Sequence, residues 1–278
     1  MPTVRPLALS LFALSLGACG LADVVAEQKG EQAVAVEGAV EVQVATFNGS
    51  VAAARGPAGR VSVSWTKRGA GPTQADAEAD LANVEVKVVS EAGHVRVVAR
   101  RTDGRSGGSS RSSGSSGASF EVTVPGETPL RLQSSNGSLA ARGVGAAVAA
   151  ETSNGGIRVE AGAGAVDAKT SNGSVDVSGE GLRLSVESSN GSLRVDGSLA
   201  DGSHTLRTEN GRIEVALPAA ARFRLAAHTS NGRVTCDFPV EGGARTEREA
   251  VEAVVGADPK ATLTLATSNG AIRVRRRG

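Results

Sequence analysis

The sequence predicts an all-β chain, a β-solenoid or β-helix-like repeat array with Asn-Gly corners and one short helix near its N-terminal part. Three observations carry this. One hexapeptide recurs, reading Thr46 to Val51, Ser134 to Leu139, Thr152 to Ile157, Thr170 to Val175, Ser188 to Leu193, Thr208 to Ile213, Thr229 to Val234 and Thr267 to Ile272. Its Asn-Gly pairs from Asn136 to Asn231 follow at 18, 18, 18, 20 and 21 residues, and a gap of 38 precedes Asn269, close to two periods. Such a period marks a repeat architecture. Between the pairs, apolar and polar residues alternate, as they do along a half-buried strand.

Composition narrows the classes further. With 36 Gly, no Tyr, one Trp and five Phe in 278 residues, an aromatic-rich core is excluded, yet 40% hydrophobic content is too much for general disorder. Val, Leu, Ile, Ala and Thr in many short strands remain. The net charge of +1 favours neither nucleic acid nor an anionic surface, so no nucleic-acid partner is expected.

Residues 1–18 read as a signal peptide: Arg5 precedes the apolar run Leu7 to Leu14, too short to span a bilayer as a helix. The run leads into Leu16-Gly17-Ala18-Cys19, which resembles the lipobox of bacterial lipoproteins. That resemblance implies cleavage before Cys19 and attachment of a diacylglyceryl group to its sulfur. Two or three acyl chains hold stably where one does not. Gly20 follows the anchor, and by resemblance to enteric sorting the absence of Asp there favours the outer membrane. Cys236 is then the one cysteine left, so an intrachain disulfide is excluded and a buried thiol is expected.

Residues 19–31 show no sustained period and read as a tether, and the repeat domain is placed at 32–275. Strands follow at Arg60 to Thr66, Val84 to Val89 and His94 to Arg100. Thr73 to Ala82 is the predicted helix, with Thr73 as its cap and Asp76 and Glu78 near the positive end of the macrodipole. Residues 103–118 are rich in Gly and Ser and read as a flexible surface loop. Alternation resumes at Phe120 and halts at Pro125.

Within the array, Val166, Ala168 and Thr170 share one parity before Asn172, and Val175 and Val177 continue it afterwards. The same phase holds around Asn190, Asn231 and Asn269, and it puts Cys236 in register with Val159, Val177, Val195 and Val215. The Ser or Thr two positions before each Asn therefore points inward, to stack on its equivalent. The candidate structural turns are Asn48-Gly49, Asn136-Gly137, Asn154-Gly155, Asn172-Gly173, Asn190-Gly191, Asn210-Gly211, Asn231-Gly232 and Asn269-Gly270. Both residues of each pair tolerate positive φ. A type I′ hairpin and a solenoid corner both fit this; a steady period near 18 favours the solenoid, with second corners such as Ala161 to Gly164 and Gly179 to Gly181.

The lipoprotein signal, a first Asn-Gly-Ser-Val copy, the strand-helix-strand segment, Val122-Thr123-Val124-Pro125 and the tandem Ser/Thr-x-Asn-Gly-x-Val/Ile/Leu motifs together resemble the DUF4097 group of bacterial adhesin-like β-strand repeat proteins, over roughly 32–275. The resemblance implies a β-helix-like fold and an envelope or surface location, with no defined molecular activity.

No catalytic constellation stands out. His94, His204 and His228 lie apart and read as surface residues, and no Gly-x-Ser-x-Gly elbow opens a helix. The corners lack the repeated carboxylate of calcium-binding β-rolls, so neither metal nor cofactor is expected. Trp65 is the single candidate platform for a glycan and reads as a covered strand residue; Arg273, Arg275, Arg276 and Arg277 read as a solvated end that blunts the last coil. The expectation is a non-enzymatic, lipid-anchored envelope scaffold or adhesin-like surface, whose partner is a glycan or protein of the envelope. A polysaccharide-binding or polysaccharide-active protein is the alternative, requiring carboxylates clustered with Trp65 in a groove. An envelope-stress accessory protein is a second one.

Overall fold

The computed structural model describes residues 10–12, 23–91, 93–104, 116–246 and 249–277. The expected leader, apart from residues 10–12, and the lipidation residue Cys19 lie outside the described residues, as do 105–115 of the expected Gly/Ser loop. The chain divides into two compact units, Met1–Ser138 and Leu139–Gly278.

Unit 1 contains β1 (Ser10–Phe12), β2 (Val24–Ala35), β3 (Glu41–Asn48), β4 (Val51–Arg55), β5 (Arg60–Gly71), α1 (Gln74–Ala82), β6 (Val84–Glu91), β7 (His94–Arg101), β8 (Gly117–Val124) and β9 (Leu130–Asn136). Strand β5 pairs antiparallel with β2 and with β8, and β8 runs parallel to β4. Strand β3 lies parallel to β7 and β9, so Thr46 faces Ser134 and Asn48 faces Asn136. The predicted helix forms, and the Thr73 hydroxyl accepts the Asp76 N–H as its cap. It packs on β5 where Gly69 and Gly71 leave room, since a methyl at Gly69 would collide with the helix backbone at Ala77 and Leu81.

Two boundaries move. Val24–Glu31, read as tether, belongs to β2, because its backbone pairs residue by residue with Gly71 back to Ser64. Its alternation is weak to the eye because β2 mixes Val and Ala with Glu, Gln and Lys. Gly117 and Ala118, read as loop, open β8 and are buried. The Ala118 carbonyl accepts the Thr46 hydroxyl at 2.8 Å.

Unit 2 contains β10 (Leu139–Val144), β11 (Val148–Asn154), β12 (Ile157–Ala161), β13 (Gly164–Asn172), β14 (Val175–Asn190), β15 (Leu193–Leu199), β16 (Gly202–Asn210), β17 (Ile213–Pro218), β18 (Phe223–Asn231), β19 (Val234–Cys236), β20 (Glu241–Thr246), β21 (Ala250–Val255), β22 (Ala261–Asn269) and β23 (Ile272–Arg277). Consecutive coils pair in parallel register: Asn154 with Asn172, Asn172 with Asn190 and Asn190 with Asn210. No hairpin closes at the Asn-Gly steps, and the β-solenoid reading holds. Its interior is the predicted apolar parity: Val166, Val175, Leu184, Val195, Leu206, Ile213 and Leu265 are each at most 2% exposed.

The gap of 38 is not two further coils. After β19 the chain leaves the coil; β20 and β21 form an antiparallel pair, and β21 lies antiparallel on β18. The last coil then returns into the stack. Strand β22 pairs in parallel with β16 on one side and β18 on the other, while β23 lies between β17 and β19. The order of corners in space is therefore Asn154, Asn172, Asn190, Asn210, Asn269, Asn231. The arginine tail is accordingly no free end. Arg275 pairs with Glu214 at 2.9 Å and Arg273 with Asp237 at 3.5 Å across neighbouring coils, while Arg277 reaches past the adjoining coil to Asp196 at 3.4 Å and Glu180 at 2.7 Å.

Candidate functional site: the corner ladder and a polar groove

The corner residues build two parallel chains of hydrogen bonds. Each Asn amide Nδ2 donates to the Oδ1 of a neighbouring coil, 172 to 154, 190 to 172, 210 to 190, 269 to 210 and 231 to 269, at 2.8–3.0 Å. Beneath them the inward hydroxyls of Thr170, Ser188, Thr208, Thr267 and Thr229 donate to Gly155, Gly173, Gly191, Gly211 and Gly270 carbonyls at 2.9–3.1 Å. The hydroxyls were legible as inward from parity. The Asn ladder was not, because it depends on which coils are neighbours.

The glycines work differently from the expectation. Gly137, Gly155, Gly173, Gly191, Gly211 and Gly232 lie outside the left-handed region, and Asp258 is the only non-glycine with positive φ among the described residues. The corner is thus no type I′ turn. Glycine is needed for close approach: a methyl at Gly173 would collide with the Gly155 carbonyl, one at Gly191 with Gly173, and one at Gly211 with Gly191. Positive φ is concentrated at the second corners, at Gly164, Gly179, Gly181, Gly197 and Gly202, with Gly49 and Gly270 the exceptions among the Asn-Gly pairs.

Three other sequence candidates resolve as follows. His94 is exposed, 3.6 Å from Glu41, and His228 is exposed. His204, read as a surface residue, is fully buried in the leucine row beside Leu263. Its Nδ1 accepts the Leu184 N–H at 3.3 Å, so the ring is neutral and Nε2 donates to Ala200 at 2.9 Å. Burial pushes this imidazole below its ordinary value, Arg183 adds to that, and the bond to Ala200 opposes it. Cys236 lies in register with Val274, as expected, but is half-buried because β19 ends the stack; burial pushes its thiol up.

The outward face of unit 1 holds a groove of about 590 Å³ lined by Lys29, Glu31, Ser50, Ala52, Ser64, Trp65, Thr66, Ser119, Phe120 and Glu121. Register orders these groups. Ser64 stands between Glu31 and Glu121, and Thr66 between Lys29 and Ser119. Flanking strands put the two Glu backbones about 10 Å apart. Both carboxylates are exposed. Trp65 has the opposite parity, with Gly30 and buried Phe120 beside it, and its indole occupies the space where a Gly30 methyl would sit. The groove thus joins two carboxylates, four hydroxyl side chains and an amine, while the indole faces away from it. Among the described residues, no three His, Cys, Asp or Glu side chains could hold a metal ion, and no helix is long and apolar enough to cross a membrane.

Parallel coils, stacked corner amides and glycines packed against carbonyls define a β-solenoid repeat protein. The chain belongs to the Toastrack DUF4097 family, whose profile matches residues 129–275. The match begins at the end of unit 1, so it covers less than the 32–275 read from the motifs. Among solved structures the chain is similar to a candidate cell adhesion protein from Clostridium sporogenes at 16% identity, covering 90% of this chain and 100% of that one, with a TM-score of 0.36. It is similar to a candidate adhesin from Bacteroides fragilis at 12% identity, covering 88% and 96%, with a TM-score of 0.43. A third, a candidate adhesin from Parabacteroides distasonis, shares 10% identity over 88% and 96%, with a TM-score of 0.39. No curated protein matches the chain.

Proposed function

We propose that this protein is a non-enzymatic, lipid-anchored scaffold of the bacterial cell envelope that presents an adhesin-like surface. The observation that carries the reading is where the repeated polar groups go. The corner Asn, Ser and Thr are used in holding coil to coil, and every buried side-chain nitrogen or oxygen among the described residues has a partner. Repetition here builds a stack, and recognition falls to residues that differ between copies. Anchoring rests on Cys19, and the position favours the outer membrane. Replacing Cys19 by Ala moves the protein from the membrane to the soluble fraction on this reading; unchanged retention in membranes rejects the anchor.

The groove of unit 1 favours a second reading, binding of an envelope polysaccharide. Rows of hydroxyl, carboxylate and amine groups match the donors and acceptors of a polyhydroxylated ligand. Glu31 and Glu121 are both open to solvent on either side of Ser64, an arrangement of hydrated acceptors along an open surface. Binding without cleavage is the outcome this geometry supports. Calorimetry with envelope polysaccharide fragments tests it: the E31Q/E121Q variant binds about tenfold more weakly, as for loss of two charge-assisted hydrogen bonds. Release of reducing ends by the unaltered protein rejects the non-enzymatic reading.

A further inference from the structure

Strand β2 is paired on one side only along most of its length. Its inner edge is bonded to β5 from Val24 through Ala35. Its outer edge carries only Ser10–Phe12, antiparallel to Glu27–Lys29, and those three residues lie within the expected leader. Among the described residues nothing else pairs with that edge. A long, free edge is a template for another strand, and soluble proteins ordinarily blunt it with charge. The charges on β2 alternate in sign, Glu27, Lys29 and Glu31, with Gly30 between the last two.

That alternation is self-complementary in one register. Placing a second copy antiparallel with Gly30 opposite Gly30 sets Lys29 opposite Glu31 twice about the two-fold axis. Gln28 then faces Gln32, Glu27 faces Ala33 while keeping its own Arg68 at 2.8 Å, Ala26 faces Val34, and Val25, which is 46% exposed, faces Ala35. No like charges meet. Moving the axis to Gln28 keeps a Glu27 to Lys29 pair but puts Val25 opposite Glu31; an axis at Lys29 sets Glu27 against Glu31. The Gly30 register is favoured because it avoids directly opposed like charges and pairs the longer stretch, Val25–Ala35, where an axis at Gln28 pairs only Val24–Gln32. Gly30 also leaves no side chain at the axis, and the Trp65 ring of each copy already covers it from the inward face.

We propose that β2 is a homodimerisation edge: two copies join antiparallel through Val25–Ala35 about Gly30, in an isologous contact. The contact rests on leader removal, since Ser10–Phe12 otherwise occupies the edge. Strands β5, β2, β2 and β5 of the pair then form one continuous sheet, and the Lys29 and Glu31 sides of the two polar grooves meet along the seam.

The test is register-specific crosslinking in intact cells expressing the full chain, with intact-mass measurement of the same protein. In the double variant K29C/E31C the opposed positions 29 and 31 both carry thiols, and oxidation gives a covalent dimer on non-reducing gels. K29C and E31C alone do not crosslink above background, since neither residue faces its own copy. In sedimentation, K29E weakens association about tenfold by turning two attractive pairs into two repulsive ones, and K29E/E31K restores it to within about threefold. Crosslinking by a single variant as efficient as by the double, or failure of the charge swap to restore association, overturns the register. A processed chain that remains monomeric overturns the dimer alone. A chain that retains its leader and is monomeric overturns both the dimer and the anchoring it rests on.

Discussion

Unit 2 and unit 1 are stabilised by opposite arrangements of polar contacts. In unit 2 the same two bonds, Asn to Asn and Thr or Ser to a Gly carbonyl, repeat from coil to coil. A hydrogen bond contributes about 0.5–1.5 kcal/mol net, so no rung is decisive and loss of one is shared by its neighbours. In unit 1 a single side chain gathers several elements. Arg101, 8% exposed at its side chain, donates to Asp80 on α1 at 2.8 Å, to Asp103 at 2.6 Å and to Ser116 just before β8. Its hydrogen bond to Asp103 comes first among the influences that hold its guanidinium well above the ordinary value. The difference teaches that a periodic sequence distributes stability, whereas an aperiodic one concentrates it where dissimilar elements meet.

The largest effect should come from ending the chain before Ala261. That removes the coil between β16 and β18 and leaves both without a neighbour on that side, so unit 2 loses cooperative unfolding in circular dichroism while unit 1 retains its protease-resistant strands. Survival of a cooperative unit 2 would show that the stack closes without its inserted coil.

Next in size is Arg101→Met, expected to cost about 3–5 kcal/mol because Asp80 is left half-buried without its cation. Chemical denaturation reads it, and a loss under 1 kcal/mol would break the contrast between the units. Gly173→Ala should cost about 1–3 kcal/mol through its collision with the Gly155 carbonyl, as overpacking does. The matched control is Gly181→Ala, at φ +62 with open space around it, where about 1 kcal/mol of conformational strain is all that applies. Equal losses would return the Asn-Gly glycines to a dihedral role.

Thr170→Val keeps the shape and removes one rung, for about 1 kcal/mol in melting experiments. The smallest effect concerns pH. His204 stays neutral in the fold while the unfolded chain takes up a proton below about pH 6.5. Its folded-state value is depressed, so stability is complete above that pH and declines as pH falls below it. His204→Leu, matching Leu184 and Leu263, should flatten this acid limb; an unchanged slope between pH 7 and 5 would remove His204 as its source.

Much of this was legible from residues alone. The alternation through Val166, Ala168, Thr170 and Val175 names the inward side chains because a strand turns its side chains by a fixed, local rule. The steady spacing of Asn-Gly pairs names the corners, and Thr73 with Asp76 names the only helix among the described residues. Local chemistry misled where the cause was distant. Glycine at position 173 looks like a residue chosen for its φ until the neighbouring carbonyl is in place. Trp65, by contrast, was read as a covered strand residue, and its cross-strand register with Gly30 turns the indole away from the carboxylates.

The tertiary structure alone decided the order of the coils. A spacing of 38 residues is compatible with two more turns of the same screw, and nothing in Ala261–Arg277 states that this segment lies between coils formed earlier in the chain. That choice is made by pairing across long sequence separations, with Leu263 between His204 and Leu225 and Asn269 between Asn210 and Asn231. Side-chain periodicity fixes which way each residue faces; only the packed coils fix what it faces.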